Sequence, residues 1–185
     1  LAVGVLALWT ARRHLWHVLR EARAGGANPG EPMSYRVAVL GLLVGMTLTA
    51  TFAVMMGMAL WVALLFFGTY LVISIAITRM RAELGPLVHE LYYANAGQVL
   101  TATLGPRRIP ASSLTAMSLF WWLTRSQNSN VMPHQLEAFK LSERVAMDAR
   151  RIWLLLIVAG LVGVWVSSFA VLESGYREGG HPGFA

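Results

Sequence analysis

VAVLGLLVGMTLTATFAVM at residues 37–55 and MALWVALLFFGTYLVISIAIT at residues 58–78 contain no charged side chain and are separated only by Met56 and Gly57. Each is about 19–21 residues long, and at 1.5 Å per residue of helix that length covers the roughly 30 Å hydrocarbon thickness of a bilayer. One bent helix through both would be too long for a single crossing. The pair therefore predicts a tight transmembrane hairpin, entered after Arg36 and left at Arg79. Residues 152–172, between Arg151 and Glu173, make a third uncharged stretch of the same length.

The rest of the chain fits this solvent. Of 185 residues, 56% are hydrophobic and only 13% are charged, about half the charged content of a soluble domain. The predicted fold class is all-α, a polytopic transmembrane helical bundle with amphipathic cytoplasmic helices. The absence of cysteine excludes disulfides and thiolate metal sites. Net charge is +6 and comes from fourteen arginines and one lysine. A soluble protein with that balance would suggest nucleic acid, but basic residues also collect on the cytoplasmic side of membrane helices. With the loop 12–36 placed inside, the hairpin returns Arg79 to the cytoplasm, and residues 79–151 stay there until the last span exits. Fourteen of the fifteen basic residues then lie inside and only Arg177 outside. That split predicts a multi-pass protein of the cell (inner) membrane, with 79–151 cytoplasmic, 173–185 external and no nucleic-acid partner.

Residues 1–9 form an apolar run too short to span, followed by Arg12. This order is the reverse of a signal peptide. The run reads as the tail of a helix that starts upstream, continued by an amphipathic stretch to Arg23 and a turn-rich linker at 28–32. The chain is accordingly expected to be an internal fragment, with the lipid bilayer and the remaining helices of the same protein as partners. Gly41-x-x-x-Gly45 in the hairpin, and Ala159, Gly163 and Ser167 in the last span, put small residues at four-residue spacing. Such stripes let helices approach closely in lipid and are expected packing faces.

Residues 109–124 are uncharged but follow Gly105-Pro106 and include Pro110. About 14 helical residues remain, roughly 21 Å and short of a crossing. Arg107 and Arg108 precede the segment and Arg125 follows it. A re-entrant or interfacial helix fits these flanks better than a short transmembrane one, with Trp121 and Trp122 at headgroup level. Ser112, Thr115 and Ser118 recur every three residues on it. They either bond back to their own helix or face a polar cavity. Further on, Pro133 suits a helix N1 position. Glu137, Lys140, Arg144, Asp148 and Arg151 then form one solvated stripe, supported by an Arg144–Asp148 pair.

Chemistry-bearing motifs are sparse. His134 and Glu137 share a helical face, and His89-Glu90 would complete a metal site only if the segments met; ordinary surface roles fit them better. No HExxH, P-loop, GxSxG or GxGxxG occurs, and the three long spans hold no ionisable residue of the acidic or basic kind. The chain is expected to be no enzyme and to need no metal or cofactor.

The stretches TRMRAELGP at 78–86, VMPHQLEAFKL at 131–141 and GMALW at 57–61 carry a resemblance. Over roughly residues 35–175 the chain resembles a family of large polytopic prokaryotic membrane proteins of unknown function, themselves distantly similar to oligopeptide transporters. The resemblance implies no catalytic residues. Together with the short hydroxylated segment it favours part of a secondary transporter for a small solute or peptide, with Ser112, Thr115 and Ser118 lining the route. The alternative is a membrane scaffold that docks a cytoplasmic partner around 133–151.

Overall fold

The computed structural model describes residues 2–25, 31–85, 95–124 and 130–177. His89, Glu90, Arg125, most of the linker and the end of the chain from 178 lie outside the described residues, as does the side chain of Trp122. The described residues are helices and their connections, with no strand. The order is α1 (Ala2–Ala24), α2 (Tyr35–Met55), α3 (Leu60–Leu84), α4 (Ala96–Leu104), a 3₁₀ turn (Pro106–Arg108), α5 (Ala111–Leu119), α6 (Trp121–Thr124), α7 (Val131–Arg144) and α8 (Ala149–Arg177). Helices α2, α3 and α8 are each long and apolar enough to cross a membrane, as the three uncharged stretches predict. The chain divides into two compact units, Leu1–Pro29 with Met33–Glu137 and Gly30–Pro32 with Ala138–Ala185.

In the first unit the hairpin forms as expected, through a Schellman turn. Gly57 adopts φ +92°, a conformation that favours glycine. Its N–H donates to Val54 O at 2.9 Å, and Met58 N–H donates to Ala53 O at 3.0 Å. Two of the last carbonyls of α2 are thereby satisfied within the turn itself. The opposite end of the hairpin is held by Arg36. Its Nε donates to Ala22 O and its Nη2 to Arg23 O, both at 3.1 Å. A cation thus meets the negative end of α1 and pins it to the start of α2. Gly25 takes φ +77°, and a Cβ there would lie 2.8 Å from Arg36 Nη2.

Around α3 the packing relies on small residues. Ala53, Ala63 and Ala96 are fully buried beside Phe66. Phe120 stacks edge-on against Phe52 and Phe67, with centroids 6.1 and 5.6 Å apart. Lipid tails are as apolar as these side chains, so close contact rather than escape from water holds them together. Each aromatic pair contributes about 0.5–1.5 kcal/mol beyond its area. The closest approach of α1 is at Gly4, where an added Cβ would lie 2.4 Å from Val72 O.

The small-residue stripes of the last span and of Gly41 and Gly45 make no close contact within the described residues, which leaves those faces to neighbours from outside this chain. An added Cβ at Gly41, Gly45 or Gly163 meets nothing within 4 Å, and Ala159 and Ser167 are exposed. Spacing alone says which helix faces are thin, and the partner decides which thin face is used.

In the second unit the long helical stripe over 133–151 is interrupted. α7 ends at Arg144, Ala146 takes φ +52°, and Asp148 starts α8. The Asp148 carboxylate accepts from Arg150 N–H at 3.1 Å, as an N-cap. Asp148 therefore caps a new helix instead of pairing with Arg144, and Lys140 pairs with Glu143 at 3.3 Å. Pro133 sits third in α7 rather than first, still within the turn that has no intrahelical N–H partner.

Gly4→Val should lower the melting temperature of the intact protein in detergent or nanodiscs, at a cost of about 1–3 kcal/mol, because the obstructing atom is backbone. Gly41→Val, measured beside it, should cost distinctly less. Equal shifts would remove α1 from the packing described.

Candidate functional site

The segment expected as one helix over 109–124 is divided. Ile109 and Pro110 are extended after the 3₁₀ turn, α5 runs for nine residues, Phe120 interrupts, and α6 adds a single turn. Three further contacts set where this broken segment lies. Ser113 Oγ accepts from Ala59 N–H at 3.0 Å, Asn130 Nδ2 donates to Ser74 Oγ at 2.8 Å, and Arg81 Nε donates to the Glu137 carboxylate. With Phe120 against Phe66 and Phe67, the contacts step along α3 in chain order. The contacts of the described residues thus begin at the α2–α3 turn with Ser113 and end at the basic end of α3 with Glu137. From Leu60 to Arg81 that path is about 32 Å long, a full bilayer core.

Helix α4 forms the other arm. Gly97 lies near Phe66 and Met117, with an added Cβ at 3.7 and 3.5 Å from their side chains. Phe66 is six residues into α3, about 9 Å from its start. Thus α4 begins beside Phe66, partway along α3, and runs toward the hairpin turn, and α5 comes back. Arg107 and Arg108, in the connection, lie at the turn end and not beside Arg79 and Arg81. A segment anchored at Ala59 is separated from Arg81 by the length of α3.

Between α4 and the α5–α6 arm is a cavity of about 360 Å³, within the range of small-molecule sites. Asn95, Gln98, Thr101, Ser118 and Thr124 give it polar groups; Leu114, Met117 and Trp121 give it an apolar wall. Asn95 is the N-cap of α4. Its Oδ1 accepts from Gln98 N–H at 2.7 Å, which fixes the orientation of the amide and leaves Nδ2 as the free end.

The sequence-predicted residues separate here. Ser118 lines the cavity while donating to Thr115 O at 2.7 Å. Thr115 is exposed and donates to Ala111 O at 3.1 Å. Ser112 is exposed near the hairpin turn, with its Cβ 4.0 Å from the position of a Cβ on Gly57. The hydroxyls of Thr115 and Ser118 thus do bond back to their own helix, and only Ser118 also faces the cavity. Ser113, absent from that stripe, is the fully buried one. α3 has no side-chain cap of its own, so Ser113 supplies the acceptor from another segment. Nothing in a three-residue spacing distinguishes Ser112 from Ser113, since only the partner Ala59 does. Glu137, weighed as a metal ligand with His134, is engaged by Arg81, and its other candidate partner His89 lies outside the described residues.

Ser113→Ala should leave the half-buried Ala59 N–H unpaired at a cost of about 1 kcal/mol, read as a lower melting temperature. Ser112→Ala should shift it by less than a third as much. The reverse order would mean that the hydroxylated stripe, and not Ser113, anchors the segment.

No curated protein and no solved structure matches this chain. A family model does, over residues 1–184, which takes in the hairpin, the broken segment and α8 together. With almost every residue inside that match, the chain belongs to DUF6785, a family of unknown function.

Proposed function

We propose that this chain is part of a secondary transporter for a small solute or peptide, with the cavity between α4 and the α5–α6 arm as its binding site. The observation that carries the proposal is an open, mostly apolar cavity with several uncharged polar groups, formed by interrupted helices beside the apolar first half of α3. Irregular backbone in a membrane persists only where protein or water satisfies its polar groups, and transporters place solute sites at such breaks. In this reading, Arg23, Arg36, Arg79 and Arg81 mark the cytoplasmic end, following the bias of basic residues. Arg107 and Arg108 stand at the other end of α3, at the tip of the two-armed element that α4 and α5 form. The scaffold alternative relies on the exposed face of α7, but Glu137 on that helix is turned to Arg81.

The chain has no cysteine, so single cysteines report directly. In native membranes, Gln98→Cys and Ser118→Cys should react with a small water-soluble methanethiosulfonate, whereas Phe120→Cys, on the buried face, should stay protected. Protection at both 98 and 118 would end the solute-site proposal.

A further inference from the structure

The cavity has an electrostatic direction. α4 is nine residues long, and its positive end opens on the polar side of the cavity, where Gly97 lines it. The N–H groups of Ala96 and Gly97 precede the first intrahelical hydrogen bond and point out of the helix end. A helix start in itself says little, but Asn95 adds a second observation. Asn95 is 5% exposed, its Oδ1 is taken by Gln98 N–H, and its Nδ2 has no protein acceptor among the described residues. A buried amide donor without an acceptor costs free energy unless something else supplies one. Gln98, the next polar lining residue, presents a second side-chain amide. Among the described residues, no acidic side chain lines the cavity to repel an anion, and no basic one lines it to neutralise the helix end.

We infer that this end of the cavity binds the carboxylate of a small amphipathic solute. Asn95 Nδ2 and the first N–H groups of α4 donate to the carboxylate, and Leu114, Met117 and Trp121 form an apolar wall for its body. The inference rests on the cavity being the solute site. Hydrogen bonds to a charged acceptor are roughly twice as strong as neutral ones, and the helix end adds a charge-dependent contribution that a neutral amide ligand does not receive. Size permits it: an apolar cavity of roughly 150 Å³ takes benzene, and this one is about 360 Å³.

Benzoate, benzamide and benzylamine share one body and differ in the head group. Titrated calorimetrically into the intact protein in nanodiscs, benzoate should bind at least about tenfold more tightly than benzamide, with benzylamine weaker still. Asn95→Asp keeps the capping oxygen, because Asn and Asp cap equally well. It replaces the free donor by a charged acceptor, so the melting temperature should hold while the benzoate preference disappears. Equal binding of benzoate and benzamide, or an unchanged preference in Asn95→Asp, overturns the carboxylate inference. If no probe binds while Ser118→Cys still labels, the inference fails and the solute-site reading stands. If no probe binds and Ser118→Cys is protected, both fail.

Discussion

A single hydrogen bond, from Ala59 N–H to Ser113 Oγ, sets the register on which the first unit depends. It caps a helix that has no capping side chain of its own and fixes the start of the broken segment at the hairpin turn. Everything after it follows along α3: Phe120 reaches Phe66 and Phe67, Asn130 reaches Ser74, and Glu137 reaches Arg81. A shift of one residue would turn Ser113 away from the turn and remove Phe120 from its aromatic partners. The cavity exists because this register holds α5 and α6 beside α3 while α4 occupies the adjacent groove.

The choice of groups at these contacts reflects the solvent. Within an apolar layer every backbone N–H or carbonyl left open costs several kcal/mol, so each interruption of a helix is matched by a partner. Gly57 closes the end of α2 through its own backbone, Ser113 caps α3 across the chain, and Asn95 caps α4. Asn130 both bonds Ser74 and accepts from Met132 N–H at the start of α7. The buried polar residues are therefore small and uncharged where α3 is deepest. The one buried cation of the described core, Arg81, stands at the end of α3 and meets a carboxylate. A carboxylate-bearing solute at the start of α4 extends the same rule to the donor that the protein leaves open.

Much of the fold was legible because span length and charge exclusion are local properties. Residues 37–55, 58–78 and 152–172 form α2, most of α3 and most of α8, and the Met56-Gly57 turn lies where the uncharged stretches meet. Less was legible in the site. The short segment was recognised by its length and prolines, yet Phe120 divides it, and Ser118 is the one member of its hydroxylated stripe that lines the cavity. Asn95 gave no signal, since an asparagine before an apolar run is an ordinary helix start.

By itself, the sequence determined what each segment must be: uncharged apolar length requires a helix long enough to cross, Met56-Gly57 marks the turn between two of them, and arginines avoid the span. Only the tertiary structure decided which surfaces meet. Gly4 and the buried alanines, rather than Gly41 and Gly45, make the close contacts, and Arg107 and Arg108 lie at the turn end of α3. The physical reason is that helix formation in lipid is fixed within a segment by its own backbone hydrogen bonds. Register between segments depends on a few long-range partners, such as Ser113 with Ala59, whose pairing no local pattern contains.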